Sequence, residues 1–179
     1  MRILLIVLFT AFTSGALAQC PKNSEISEGL DQAYRTLKFA KFPRDAQAAT
    51  DALWRLWTRA PDNRAQRLLN RGMMNLRLGD LVAAEGLLST LIEYCPNYAE
   101  GYNQRAFARY LAGNFEGALP DLDQALSIQP RHLGALSGKG LTHLALGQSE
   151  LAAIEFRKEL ALNPFSPDRD LIPNLGTDL

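Results

Sequence analysis

The chain has 179 residues, of which 47% are hydrophobic and 21% charged, and its 19 basic residues balance its 19 acidic residues. This composition is typical of one globular domain with a buried core, and it argues against intrinsic disorder. The balanced charge gives no field that would draw nucleic acid onto the whole surface, so we expect no nucleic-acid partner.

The first eighteen residues differ from the rest of the chain. Arg2 is followed by an uncharged, mostly apolar stretch over residues 3–17, and Ala16-Leu17-Ala18 fits the small-x-small rule for signal-peptide cleavage. The stretch is short for a stable membrane span, which needs about 20 residues. We therefore predict a cleaved signal peptide, residues 1–18, a mature start at Gln19, no stable membrane insertion after cleavage, and export, with the periplasm as the expected location.

Two other fates of this segment remain open. The segment could stay uncleaved and anchor the chain in a membrane. Alternatively, Leu17-Ala18-Gln19-Cys20 looks like a lipobox, which would place a lipid on Cys20. The residue before a lipidated cysteine is normally small, and Gln19 is not, which argues against the second alternative.

Export changes the meaning of the two cysteines, Cys20 and Cys95. In an oxidising compartment an even pair predicts a disulfide, and each of these cysteines precedes a proline just before a predicted helix. The bond would close a loop of about 75 residues and stabilise the fold by roughly 4–5 kcal/mol on the chain-entropy relation. The alternative is a partly buried free Cys95 and a loose Cys20 near the terminus.

Three residue types recur every 34 residues in the same register. The recurring residues are Pro96, Pro130 and Pro164; Gly79, Gly113 and Gly147; and Ala84, Ala118 and Ala152. A fixed period of this length indicates stacked supersecondary units that bury a continuous core between neighbours.

The apolar spacing within one unit is helical. Tyr102, Ala106 and Tyr110 follow one another at four-residue steps, which puts them on one face of a helix. Gly113-Asn114 interrupts the pattern, because glycine suits a left-handed helix exit and asparagine an N-cap. Pro130 ends the second helix. Each unit is therefore predicted to be a helix-turn-helix hairpin.

This pattern resembles the tetratricopeptide repeat. We number each unit from its first residue, which is Ala65, Ala99 or Leu133, and call a position within the unit a place. The residues at the places typical of the family are as follows: place 4 is Leu68, Tyr102 and Leu136; place 7 is Arg71, Arg105 and Lys139; place 8 is Gly72, Ala106 and Gly140; place 20 is Ala84, Ala118 and Ala152; place 24 is Leu88, Leu122 and Phe156; place 32 is the three prolines. The resemblance implies an all-α fold, a right-handed α-α superhelix, with repeats at 65–98, 99–132 and 133–164. Small residues at places 8 and 20 would let paired helices approach closely.

Residues 24–61 are predicted to form a divergent N-terminal repeat. The residues that echo places 20, 24, 27 and 32 are Ala49, Leu53, Leu56 and Pro61. Terminal repeats are expected to be atypical, because one of their faces has no neighbour. We expect Trp54 and Trp57 to pack at an interface between repeats.

The array is predicted to stop at Pro164. Place 27 normally faces the next repeat and holds Leu91 and Ala125 in the first two units, but Glu159 in the last. A glutamate there is tolerable only if no ordinary repeat follows. Residues 165–179 contain two prolines, Pro167 and Pro173, so we expect an extended tail, docked through Phe165, Leu171 and Ile172.

The sequence contains few residues in patterns that indicate catalysis. His132 and His143 belong to no metal-spaced cluster, and the sequence contains no phosphate-binding glycine loop. We expect Asp121 and Asp123 to pair with the arginines at place 7 or to face solvent, rather than to form an acid/base couple. The sequence therefore predicts no enzyme, no metal and no cofactor.

The resemblance also implies a partner-binding groove, which the first helices of such repeats line. The candidate residues are Leu69, Asn70, Met73, Asn103, Gln104, Phe107, Tyr110, Ser137 and Leu141. The family's groove for a C-terminal carboxylate uses lysine, asparagine and arginine. This chain departs from it at Leu69, Met73, Gly134 and Gly138, so an acidic chaperone C-terminus is not the expected partner.

The function expected from these features is that of a non-catalytic scaffold or adaptor in the cell envelope, which binds a peptide or protein segment in the groove. The alternative is a self-assembling structural subunit, a homo-oligomer that pairs through an uncapped end repeat. The mass of the chain in solution separates the two.

Overall fold

A computed structural model describes residues 20–21 and 26–172, so the predicted signal peptide and the end of the tail lie outside the described residues. Within these ranges the chain is helical and contains no strand. The helices are α1 (Ser27–Lys38), α2 (Pro43–Trp57), α3 (Asn63–Leu78), α4 (Leu81–Tyr94), α5 (Ala99–Leu111), α6 (Phe115–Ile128), α7 (Leu133–Ala145) and α8 (Ser149–Leu162), followed by a 3₁₀ helix, Pro167–Leu171.

The three predicted repeats are the hairpins α3–α4, α5–α6 and α7–α8. Each second helix packs on the first helix of the next unit, α4 on α5 and α6 on α7, and the first helices also contact one another in sequence. This is the stacking that makes a solenoid, and it confirms the all-α repeat fold predicted from the 34-residue period.

The turn within each hairpin follows the predicted chemistry. Gly79, Gly113 and Gly147 have φ angles of 77°, 75° and 73°, a left-handed conformation that glycine adopts without steric cost. The Asn114 side chain accepts a hydrogen bond from the Gly117 amide at 3.0 Å and so caps α6. The repeat of one turn at three positions keeps the three hairpins alike.

Close approach inside the hairpins explains the small residues at place 8. A Cβ atom on Gly72 would lie 2.8 Å from Leu88 Cγ, and one on Gly140 would lie 2.4 Å from the Phe156 ring. The two positions therefore have no room for a methyl group unless the buried partner moves.

Two glycine-to-alanine changes should act in opposite directions. Gly140→Ala is expected to lower the free energy of unfolding by about 1–2 kcal/mol, because overpacking against buried Phe156 outweighs the helix-propensity gain. Gly86→Ala should raise it by about 0.5–1 kcal/mol, since its Cβ would meet nothing within 4 Å. Urea unfolding of both variants checks the pair, and equal stabilisation by both would contradict the close-packing argument.

The N-terminal hairpin, α1 with α2, does not take the stacked position of a first repeat. Among the described helices, α2 does not pack along α3 as α4 packs along α5. The surface of α5 that packs on α4 carries Gly101 and the buried Ala108. A Cβ atom added to Gly101 would lie 3.4 Å from Ile92. The same places on α3 hold Arg67 and Met74, whose bulk prevents an equally close approach. Residues 24–61 therefore resemble a repeat in forming a helical hairpin, but this hairpin does not stack on the first repeat as a repeat would.

The hairpin instead lies against the loops that join successive repeats. The Trp57 ring stacks on His132 with centroids 4.1 Å apart, and the Tyr98 hydroxyl donates to the Trp57 carbonyl at 2.6 Å. Tyr34 donates to the Arg131 carbonyl, and the Arg131 guanidinium pairs with a carboxylate of α1. The apolar core of the hairpin continues into the third repeat through Leu133.

The segment after α8 is more ordered than the extended tail we predicted. Ser166 and Asp168 lie 34 residues after His132 and Gly134, and the chain there follows the repeat path into the 3₁₀ helix. The Ser166 side chain accepts from the Asp168 amide at 3.1 Å, a capping bond that starts this turn. Phe165 packs against the N-terminal hairpin, whereas Leu171 is 40% exposed.

The two cysteines form a disulfide. Cys20 and Cys95 are bonded, with Cα atoms 5.0 Å apart and a sequence separation of 75. Cys95 is buried in the core of the first repeat, against which Cys20 also packs. The bond ties the start of the described chain to the loop between α4 and α5.

Candidate peptide-binding groove

The first helices α3, α5 and α7 line a cavity of about 590 Å³ on one side of the solenoid, which we call the groove. Its lining residues are Trp54, Met73, Leu76, Arg77, Asn103, Gln104, Ala106, Phe107, Tyr110, Leu111, Leu122, Gly134, Gly138, Leu141 and Thr142. Most of these side chains are apolar or aromatic, which is typical of sites that bury part of a ligand.

Six of the nine predicted groove residues lie in this lining: Met73, Asn103, Gln104, Phe107, Tyr110 and Leu141. The Phe107 side chain is 49% exposed although it is large and apolar. Met73, Phe107 and Leu141 share place 9 of their repeats. The regular stacking of the three hairpins therefore brings these three apolar side chains to one surface.

The other three predicted residues lie elsewhere. Leu69 is fully buried in the cluster that contains Tyr98, because place 5 lies under the start of the next repeat. Asn70 is exposed outside the groove, and its Oδ1 accepts a hydrogen bond from the Gln66 amide at 3.0 Å. Ser137 donates to Asp168 of the terminal 3₁₀ helix. These three residues therefore lie outside the lining of the groove.

Trp54 is a groove residue that the sequence analysis missed. We expected both tryptophans to pack between repeats, and Trp57 is indeed buried, but Trp54 lines the groove and is 41% exposed. It reaches the groove because α2 lies across the repeat junctions rather than on α3. The edge-to-face contact of the two rings, with centroids 6.4 Å apart, fixes the position of Trp54.

The two amides in the groove are held by a buried carboxylate. Asn103 Nδ2 donates to Glu100 Oε2 at 3.2 Å, and Gln104 Nε2 donates to Glu100 Oε1 at 2.5 Å. All three residues lie on α5 and are buried. These amide N–H groups are therefore engaged within the protein, and the groove has fewer polar groups to offer than its composition indicates.

His132 completes this buried network from the next repeat. Its Nδ1 accepts from the Ala135 amide at 3.2 Å, so the proton lies on Nε2, which donates to Glu100 Oε2 at 2.9 Å. His132 is fully buried, with Trp57 stacked on its ring. One side chain thus caps α7, satisfies the carboxylate beneath the groove and receives the N-terminal hairpin.

Comparisons with known proteins agree with this architecture. The family model for the tetratricopeptide repeat matches residues 99–132. A TPR repeat-containing protein of Rhizobium etli is 27% identical over 142 residues, which are 79% of this chain and 70% of that protein. Tetratricopeptide repeat protein 36 of Danio rerio is 32% identical over 96 residues, 51% of each chain. Residues 99–132 are therefore a tetratricopeptide repeat (TPR), and the chain has the TPR fold.

Solved structures share the TPR fold of this chain. The first TPR of Spaghetti, bound to the HSP90 peptide SRMEEVD, superposes with a TM-score of 0.58 at 22% identity and covers 59% of this chain and 83% of its own. YrrB, described as a TPR protein with an unusual peptide-binding site, gives 0.52 at 19% identity and covers 73% and 63%. At these identities the likeness concerns the fold alone.

The acidic residues considered as catalytic candidates are ion-paired in this chain. Arg105 holds Asp121 through two hydrogen bonds of 2.8 and 2.6 Å, and Arg109 adds a third at 3.0 Å. The Asp121 hydrogen bonds raise the pKa of Arg105, which keeps the guanidinium charged. Lys139 pairs with Asp123 at 2.8 Å. The pair of Arg105 with Asp121 is the one predicted from place 7, and it joins the two helices of the α5–α6 hairpin. Lys139 instead joins α7 to α6 of the preceding repeat.

Arg77 is the one charged residue in the lining of the groove. In the described part of the chain, no three His, Cys, Asp or Glu side chains come together as metal ligands would. No helix within residues 20–21 and 26–172 is both long and apolar enough to cross a membrane.

Proposed function

We propose that this protein is a non-catalytic interaction module that binds a peptide or protein segment in the groove. The observation that carries the proposal is the apolar cavity of about 590 Å³, into which Phe107 and Trp54 project half-exposed rings. Half-exposed aromatic rings in a concave surface are typical of hot spots for binding. The peptide bound to the first TPR of Spaghetti and the peptide-binding site of YrrB support the same use of the fold.

The chemistry of the groove favours a segment with apolar side chains. Met73, Phe107 and Leu141 form its apolar surface, whereas the amides of Asn103 and Gln104 are engaged by Glu100. An acidic C-terminus would find one cation, Arg77, at the groove. We therefore propose an amphipathic or extended segment, held by apolar anchors, as the partner.

We also propose that the protein works outside the cytoplasm, in the cell envelope. The signal-like segment 1–18 and the disulfide between Cys20 and Cys95 support this, since disulfides persist in oxidising compartments. Mass spectrometry of the protein from its own cells tests the location, because a mature chain that starts at Gln19 is expected. A chain recovered with residues 1–18 and reduced thiols would contradict it.

Phe107→Asp is expected to abolish partner capture without loss of helicity. The change puts a charge in the centre of the apolar surface, while a side chain that is half exposed contributes little to the core. Tagged wild-type protein and variant are used to capture proteins from the envelope fraction, and circular dichroism follows the fold. We expect the loss to exceed ten-fold for each specific partner.

Leu151→Asp is the matched control for this experiment. Leu151 is 45% exposed on α8 and lies outside the groove, so the same charge there should leave capture unchanged. Capture that survives Phe107→Asp, or that both variants lose equally, would exclude the groove as the binding surface.

Self-assembly is the second candidate function, and one surface favours it. Because the N-terminal hairpin does not cover α3, the first repeat exposes Met74, Leu78 and Val82 by 56%, 69% and 86%. An uncovered apolar end of a repeat array is a contact surface for another chain. Light scattering across a concentration series separates the candidates, because a monomer at high concentration excludes self-assembly.

A further inference from the structure

The end of the repeat array contains a buried acid that has no compensating cation among the described residues. Glu159 on α8 is 5% exposed, and its Oε1 accepts from the Ser166 hydroxyl at 2.8 Å. Its Oε2 is buried and has no hydrogen-bond partner in the described part of the chain. The equivalent place holds Leu91 and Ala125 in the first two repeats, where an apolar side chain is covered by the next helix.

A second carboxylate, Asp168, comes from the segment that covers Glu159. The Ser137 hydroxyl on α7 donates to Asp168, and the Asp168 amide donates to Ser166 Oγ. The 3₁₀ helix is therefore held on α7 and α8 through two carboxyl groups and two hydroxyl groups. The apolar Leu171 contributes little, since it is 40% exposed.

The surrounding cations are engaged elsewhere. Lys139 on α7 pairs with Asp123 and Glu155, and Lys158 on α8 also pairs with Glu155. Arg131, in the loop before α7, pairs with Asp31 of α1. On the 3₁₀ helix, Arg169 and Asp170 are exposed. Asp168 is thus the charged group that faces Glu159, and it carries the same sign.

We propose that residues 166–172 form a pH-controlled latch, docked while Glu159 is protonated and released when Glu159 ionises beside Asp168. Release uncovers Ser137 and the faces of α7 and α8 that a following repeat would cover. The latch adds a conformational control at the end of the array, and it does not depend on the proposed function of the groove.

The expected direction follows from the environment of Glu159. Burial, with a further contribution from Asp168, raises the pKa of Glu159 from 4.5 to about 7 in the folded protein. The released acid has a pKa near its ordinary value. Docking is therefore strongest below about pH 4.5, weakens as the pH rises, and has lost the whole contribution of the protonated acid once the pH passes 7.

Hydrogen exchange of the full chain between pH 5.5 and 8.5 tests the latch. The amides of Asp168 and Arg169 donate to Ser166, so their protection reports docking. After correction for intrinsic rates, protection in the wild type should fall by roughly three-fold to ten-fold for each pH unit up to about pH 7 and then level off. Glu159→Gln should keep its protection over the whole range.

Glu155→Gln serves as the matched control, because Glu155 lies on the same helix face but is ion-paired. It should retain the pH dependence of the wild type. The proposal is overturned if wild-type protection does not change with pH, or if Glu159→Gln shows the same pH-dependent loss. Carbon-detected NMR titration of the Glu159 carboxyl in the wild type gives the same answer without a variant, and a midpoint near 4.5 would exclude the latch.

Discussion

Replacing Cys95 with serine is expected to lower the free energy of unfolding by about 4 kcal/mol. The bond between Cys20 and Cys95 closes a loop of 75 positions, and the chain-entropy relation gives about 4.5 kcal/mol for a loop of this length. The loop contains α1 to α4, which are the N-terminal hairpin and the first repeat. A change of this size is a large fraction of the stability of an ordinary domain.

Guanidinium unfolding of the oxidised protein, the reduced protein and both single variants checks this expectation. Cys20→Ser is the cleaner comparison, because Cys20 is half-buried, whereas serine at Cys95 also buries a hydroxyl. Cys95→Ser should therefore cost slightly more than Cys20→Ser. Identical unfolding midpoints for oxidised and reduced protein would contradict a structural role for the bond.

Reduction should leave the N-terminal hairpin docked. Trp57 keeps its stack on His132, and Tyr98 keeps its hydrogen bond to the Trp57 carbonyl, neither of which depends on the disulfide. The disulfide and the aromatic contact therefore hold the hairpin independently.

The sequence was sufficient to predict the repeats because their determinants are local and recur. Gly79, Gly113 and Gly147 each mark a left-handed helix exit, and the prolines that follow at constant spacing mark the helix ends. The glycines at place 8 have one steric reason in two of the three copies, since Gly72 and Gly140 face Leu88 and Phe156. Three copies of one local rule determine the stack without any knowledge of distant contacts.

The position of the N-terminal hairpin could not be predicted in this way. The pattern of Ala49, Leu53 and Leu56 resembles a repeat, and a repeat normally stacks on its neighbour. What excludes stacking is the bulk of Arg67 and Met74 on another helix, at places where α5 has glycine and alanine. Docking then depends on a match between Trp57 and His132, which lie 75 residues apart and share no pattern.

Part of the groove could be predicted because its residues recur at one place of the repeat. Place 9 points to the groove in all three repeats, so Met73, Phe107 and Leu141 were found from spacing alone. The surroundings of place 5 differ from copy to copy, because this place lies beside the start of the next repeat. Leu69 is in the core, whereas Ser137 contacts Asp168. Trp54 could be found only once the hairpin had a position.

His132→Ala is expected to lower the free energy of unfolding by about 4 kcal/mol, because three interactions end at this side chain. Its removal takes one of three side-chain hydrogen-bond donors from the buried Glu100 carboxylate, and losing a hydrogen bond to a buried charged group typically costs about 1.5–3 kcal/mol. The cap of α7 and the ring that Trp57 stacks on are lost as well.

His143→Ala is the matched control for this expectation. His143 is also buried, but its Nδ1 contacts the Gln148 side chain rather than a buried carboxylate, so we expect a loss of about 1 kcal/mol. Equal losses for the two variants would show that the network around Glu100 carries no particular weight.

The double variant His132→Ala with Glu100→Gln separates charge from packing. Without a carboxylate to lose a donor, its loss of stability should be smaller than the sum of the two single losses, a coupling that urea unfolding measures directly. Trp57 fluorescence gives the second measurement, because His132→Ala removes the ring above the indole and should shift its emission to longer wavelength, even in native buffer. A coupling together with that shift would show that one histidine stabilises the floor of the groove and holds the helix that brings Trp54 to its edge.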